Sequence, residues 1–312
     1  MKIDYFFNIL ERLEALAPRS LENENKAAEL IKRELEESGI DFITQEFDNY
    51  IPYDKGSYIK TDNDKIEGRG CSFEAGSFED KNIFTSTYLD LDIDISNINY
   101  NPYSYGLSVP LFFKSPSIAV RRKDIHKILD AEAVEVSVNI EKRKHRCMNI
   151  IAGNIKNPRS ILFAHYDTIL KGADDDGSGV ALLLSMLKDN DIDYKENAVV
   201  FSGCEELSYD YPYYWGYGYR VFEESYKKEL ESSEIVVVDM IGLTKPSLID
   251  NELKIQAFPV NNKDLIDRML LISESNEKEW IKYYHSDIDN IDLLKRDYVE
   301  EASKLVKQLI KR

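Results

Sequence analysis

Three short apolar runs, at residues 160–164, 198–202 and 235–238, restrict the fold more than any other feature of the chain. Each is continuous rather than alternating, which is how strands read when both faces of their sheet are covered. Residues 179–187, 264–273 and 292–311 carry apolar positions at helical spacing, and so do 5–16 and 25–38, where Gly39 follows as a stop signal. Strands and helices in alternation predict an α/β fold, a three-layer sandwich with a mostly parallel central sheet flanked by helices.

After a strand expected at 41–47 the character of the sequence changes. Residues 49–144 are rich in Tyr, Asn, Asp, Gly and Pro, with short β-like runs at 118–120 and 134–140 and a helical stretch at 124–129. The expected organisation is therefore a main domain of residues 1–48 and 145–312, interrupted by a smaller β-rich insertion at 49–144.

Bulk properties narrow the functional classes. With 43% hydrophobic and 31% charged residues the chain reads as an ordinary globular protein. A net charge of -17 argues against nucleic acid or an anionic membrane surface as partner, because its field repels phosphate. Cys71, Cys147 and Cys204 are widely spaced and odd in number, so no disulfide framework is expected and a reducing, cytoplasmic setting fits. The first residues lack the apolar run of a signal peptide, and no stretch approaches the ~18 apolar residues of a membrane span.

The chemistry gathers at the ends of the three buried runs. His165 and Asp167 follow the first, Glu205 and Glu206 the second, and Asp239 the third. In open α/β sheets ligands bind outside the carboxyl ends of the strands, so these side chains can converge there. Taken singly, each acid is equally a turn former or a helix cap. Between the first two runs lies Gly172-Ala173-Asp174-Asp175-Asp176-Gly177-Ser178-Gly179. Three successive carboxylates repel one another unless a cation sits among them; the alternative is a solvated turn complementing the dipole of the helix that follows. The segment has neither the alternate acids of an EF-hand loop nor the Gly-Lys-Ser/Thr end of a phosphate loop.

Of the four histidines, His126 and His145 lie among Lys and Arg and read as solvated surface, whereas His165 follows a buried strand and His285 precedes the last helix. Imidazole and mixed carboxylates are ligands a zinc ion accepts. His165, Asp175, Glu206, Asp239 and His285 are enough for two ions sharing one carboxylate.

In His165-Tyr166-Asp167, the Gly172 to Gly179 loop, the Glu205-Glu206 pair and the late His285, in this order, the chain resembles the zinc aminopeptidases of the M28 type, which have a two-metal centre. The resemblance runs from the first helix to the carboxyl terminus and is weakest in the insertion. It implies a metallopeptidase main domain in which Asp175 bridges two Zn2+ ions, replaceable by Co2+ or Mn2+. His165 and Asp239 would complete one site, and Glu206 and His285 the other. It further implies that Asp167 orients His165, that a cis peptide joins Asp175 to Asp176, and that Glu205 is the general base for the attacking water. Tyr284 matches a tyrosine that steadies the tetrahedral intermediate in some relatives; the plainer reading is a packed aromatic. The insertion looks like a shortened protease-associated or lid module. The implied substrates are peptides with a free N-terminus.

The run Tyr209, Tyr211, Pro212, Tyr213, Tyr214, Trp215, Gly216, Tyr217, Gly218 and Tyr219 stands where the family has a loop bordering the substrate pocket. It is expected either to wall a pocket for an apolar first residue or to pack as a surface loop. Rival activities on the same scaffold are a glutaminyl cyclase, whose branch uses one zinc, and a carboxypeptidase-like deacylase. A non-catalytic binding module would usually have lost ligands, and here every ligand position is filled.

Overall fold

A computed structural model of the chain describes residues 1–87, 94–210 and 213–311. The chain forms two compact units, one of Met1–Asn49, His145–Glu277 and Asp289–Arg312, the other of Tyr50–Lys144 and Lys278–Ile288.

The first unit is built on a seven-stranded sheet. Its strands are β1 (Phe42–Asp54), β2 (Ile140–Gly153), β3 (Ser160–His165), β4 (Ala198–Ser202), β5 (Glu234–Val238), β6 (Pro246–Ile249) and β7 (Leu270–Glu274). They lie in the order β1-β2-β4-β3-β5-β7-β6. The four inner strands β4, β3, β5 and β7 are parallel, with antiparallel partners β2 and β6 on either side of them. Because side chains alternate across a strand, Leu162 and Ala164 enter one core while Ile161 and Phe163 enter another. Val236 and Val238 divide from Ile235 and Val237 in the same way. Two cores on opposite faces of one sheet make the three layers, and they explain why these strands have no polar side.

One core is closed by α1 (Ile3–Glu14), α2 (Glu22–Glu37), α3 (Gly179–Lys188) and, last in the chain, α5 (Arg296–Leu309). Helix α1 buries Phe6, Ile9, Leu10 and Leu13, one stripe at three- and four-residue spacing. Helix α3 is buried from Gly179 to Leu187 on every side, so it is apolar all round. Gly39 ends α2 at a φ of 66, with its amide on Glu36 O and that of Ile40 on Leu35 O. The second core takes Tyr219 and Phe222 from α4 (Tyr217–Ser225), packed edge-on against Phe163.

Three expectations need correction. Residues 264–273 are not one helix: a helix at Lys263–Arg268 gives way to β7, whose Leu271 and Ile272 are buried on opposite faces. A short apolar run has no periodicity that separates helix from strand, and the parallel pairing with β5 decides it. Cys147 and Cys204, expected as thiols, form a disulfide, which leaves Cys71 as the free cysteine. The cysteine argument for a reducing setting lapses with it. His145, expected on the surface, is buried at 4% exposure, because the alternation of β2 turns it inward with Cys147. His126 is exposed, as read.

The second unit contains two four-stranded sheets among its described residues. One is made of Lys65–Glu67, Tyr58–Thr61, Val134–Val138 and Gly76–Phe78, the other of Arg69–Gly70, Ser117–Ala119, Asn97–Tyr100 and Ile83–Thr85. They share a small core of Ile59, Ile66, Ile98, Ile118, Val134 and Val136. Lys278–Ile288 counts with this unit, apart from the main-domain boundary of 145–312 expected from sequence. Its carbonyls explain why: Asn101 donates to Ile281 O at 2.8 Å, and Ser108 to Tyr284 O at 2.8 Å. Among the described residues no helix is long and apolar enough to cross a membrane.

Candidate metal centre

Since β3, β4 and β5 are parallel, the residues that follow them lie along one edge of the sheet. His165 closes β3 opposite Ser202, the last residue of β4. From there the chain turns through Gly203 and Cys204 to Glu205 and Glu206, and Asp239 follows directly on β5.

His165 is the hub. Its Nε2 is 3.1 Å from Asp175 Oδ1 and 3.8 Å from Asp239 Oδ1, and its Nδ1 is 3.6 Å from Asp167 Oδ1. Two overlapping groups bring their ligand atoms within 4.8 Å of one another: His165 with Asp175 and Glu206, and His165 with Asp176 and Asp239. All are buried except the half-buried Asp239. Glu205 is buried beside them but belongs to neither group.

The Asp167 carboxylate organises the loop after β4. Its Oδ1 accepts the amide of Glu205 at 3.0 Å and its Oδ2 that of Glu206 at 2.9 Å. The aspartate loop is held just as firmly. Asp176 accepts from His165 N at 3.2 Å, Gly179 N at 2.9 Å and Met240 N at 3.3 Å, so one carboxylate ties β3, α3 and the end of β5 together. A Cβ on Gly179 would stand 2.5 Å from Asp176 Oδ1 and 2.6 Å from Val238 O, which is why a glycine is needed there. The peptide between Asp175 and Asp176 is cis.

Sequence reasoning overlooked three residues that build this edge. Asp176, expected only as the partner of Asp175 in the cis peptide, accepts three amide bonds that no sequence pattern announces. Asp289 accepts the amides of Asp174 at 3.0 Å and Asp175 at 3.3 Å. Arg19 is fully buried and donates to Tyr166 O at 2.6 Å and Gly172 O at 2.9 Å. A lone arginine after α1 and an acid far along the chain leave no spacing signal to find.

The donor set fits a cation. Burial pushes the Glu205 carboxyl well above its usual range, and its acidic neighbours Glu206, Asp167 and Asp239 add to this against the opposing pull of His165. Burial likewise raises Asp176, with Asp239 adding to it. Crowded carboxylates at a buried edge favour a positive ion among them. One imidazole nitrogen with carboxylate oxygens is a set that zinc accepts.

The remaining expected site residues, Tyr284 and His285, belong to the second unit. His285 donates from Nδ1 to Val109 O at 3.1 Å, which fixes the tautomer with its lone pair on Nε2. Tyr284 stacks on His285 with centroids 3.8 Å apart and meets Trp280 edge-on.

The aromatic run is a packed loop in its described part. Tyr213 and Tyr214 flank Trp215 at 5.0 and 4.9 Å, and Arg220 donates to the carbonyls of Tyr213, Trp215 and Pro259. Tyr211 and Pro212 lie outside the described residues.

Residues 149–249, which span His165, Asp175, Glu205, Glu206 and Asp239, match the model of peptidase family M28. No protein of curated function matches the chain by sequence. Among solved structures, a zinc aminopeptidase from Bacillus subtilis is similar over 98% of this chain and 93% of its own, at 17% identity and a TM-score of 0.69. An aminopeptidase from Aneurinibacillus sp. strain AM-1 is similar over 99% and 93%, at 15% identity and a TM-score of 0.65. A glutaminyl cyclase from Porphyromonas gingivalis follows over 99% and 98%, at 14% identity and a TM-score of 0.54. At these identities the likeness speaks to the fold.

Proposed function

We propose that the chain is a member of peptidase family M28, whose model its residues 149–249 match, and that it is a zinc exopeptidase that removes the N-terminal residue of peptides. The observation that carries this reading is the division of labour between neighbours. Glu205 and Glu206 hang from one carboxylate, yet only Glu206 falls in a ligand group.

In this reading Asp175 would be shared by two ions, with His165 and Asp239 holding one and Glu206 the other, as the resemblance implies. His285 joins Glu206 on the strength of the sequence resemblance. Bound zinc, or cobalt or manganese in its place, supplies Lewis acidity and lowers the pKa of water. Asp167 fixes the backbone of Glu205 and faces Nδ1 of His165, so it sets the position of an acid and of a ligand together. Glu205 accepts the proton of the attacking water at its carboxylate and returns it to the departing amine. Tyr284 would steady the tetrahedral intermediate, a role that rests on the same resemblance.

A glutaminyl cyclase is the second reading, favoured by the similarity to the Porphyromonas gingivalis enzyme; a deacylase has no such neighbour behind it. A panel of chromogenic aminoacyl substrates separates the two. An aminopeptidase cleaves those with a free amino group and spares their N-acetylated counterparts; equal cleavage of both rules the proposal out.

A further inference from the structure

Behind the loop that carries Glu205, a second group of ligand-type side chains is gathered in the first unit. It consists of Glu24 from α2, His145 and Cys147 from β2, and Cys204 from the turn after β4. One ligand atom from each lies within 4.8 Å of all the others, and all four residues are buried. None belongs to the groups around His165. The sheet assembles them: β2 and β4 pair antiparallel with Ile150 opposite Phe201, and continuing that register sets Cys147 opposite Cys204. His145, two residues earlier, points to the same side of the strand.

The disulfide between Cys147 and Cys204 accounts for the two sulfurs but not for the other two side chains. Here a glutamate and a histidine are buried in the same group and bond each other, Glu24 Oε2 with His145 Nε2 at 2.7 Å, while Glu24 Oε1 accepts the amide of Cys204 at 3.0 Å. An ionisable pair in such a place is costly unless it has work there.

We propose that Glu24, His145, Cys147 and Cys204 form a second metal site, which takes one zinc ion when the cysteines are thiols and is replaced by the disulfide when they are oxidised. Two sulfurs, one imidazole and one carboxylate are a closed tetrahedral zinc set, and thiolates select against magnesium and calcium. With metal–ligand bonds of about 2.0–2.3 Å, tetrahedral donors stand roughly 3.3–3.8 Å apart, a spread within reach of ligand atoms that all lie within 4.8 Å of one another once the disulfide opens. Passing from disulfide to metal takes two electrons and two protons from an external dithiol, which leaves as its own disulfide. The two thiol protons go to solvent as the ion binds. Either crosslink ties β2 to the residue directly before Glu205, so the loop is anchored in both states.

The site can be read without assaying peptide hydrolysis. Chelator-stripped protein, reduced and shown to be folded by circular dichroism, is titrated with cobalt(II), and the near-ultraviolet thiolate-to-cobalt charge-transfer band is followed. The reduced wild type should develop the band, which zinc then abolishes, and the disulfide form should not. His165→Ala, a change in the other group, should keep the band, which separates this site from the proposed catalytic one. Glu24→Gln leaves both thiols in place and should weaken cobalt binding at least tenfold. No band in the folded, reduced wild type, or unchanged affinity in Glu24→Gln, would overturn the proposal.

Discussion

Asp167 Oδ2 accepts the amide of Glu206 at 2.9 Å, so the acid that follows β3 fixes a proposed ligand that follows β4. Its other oxygen does the same for Glu205. Asparagine has only one acceptor oxygen, so Asp167→Asn leaves one of two buried amides unsatisfied. The expected cost is about 1–3 kcal/mol in denaturant unfolding of the metal-free protein. Zinc affinity should fall roughly 10–100-fold by competition with a chromogenic chelator, and unchanged affinity would contradict the orienting role.

Glu205→Gln removes the proton acceptor while keeping the shape of the side chain. Turnover of a free-amino substrate should drop by ~10²–10⁴, with metal content unchanged by elemental analysis. A variant of wild-type activity would refute Glu205 as the base.

Gly179→Ala tests the packing under the aspartate loop. The added methyl meets Asp176 and the carbonyl of Val238. Forcing them apart should destabilise the fold by about 1–3 kcal/mol in urea unfolding. A variant as stable as the wild type would show that the loop can give way.

A pH dependence is expected far from the site, where Glu34 of α2 accepts from Tyr5 and pairs with Arg12 of α1. Burial tends to raise its carboxyl, but these two partners outweigh it and hold it below the usual glutamate range. A carboxyl lowered in the folded state adds stability above its unfolded pKa, which is lost as pH falls through the folded value. Glu34→Gln should therefore cost about 1–2 kcal/mol at neutral pH. In unfolding curves the gap to wild type should close as the solution is acidified below the ordinary glutamate range. A gap that widens would reverse the sign of the argument.

The strands that end at this edge were legible because burial on both faces leaves a run without alternating polar residues, as at 198–201. The sequence also pointed to the edge at which these side chains gather, since His165, Glu205, Glu206 and Asp239 all follow such runs. The hidden parts share a cause: they depend on residues brought together from far apart. Asp289 and Arg19 act on backbone atoms, and no pattern announces such contacts. Glu24 and His145 meet across 121 positions. Residues 144–147 do alternate between exposed and buried, and that period of two was the overlooked sign that His145 faces inward with Cys147. The helix expected at 264–273 failed for the opposite reason, a local pattern overruled by pairing with a neighbouring strand.

The central claim, a metal centre at the carboxyl edge of the sheet, is tested most directly by elemental analysis of protein purified without chelator. With the Cys147–Cys204 disulfide intact, wild type should retain about two zinc ions per chain, and Asp175→Asn, which alters the proposed shared ligand, should lose most of both. If the folded wild type binds no transition metal, or if Asp175→Asn keeps the full complement, the account is wrong.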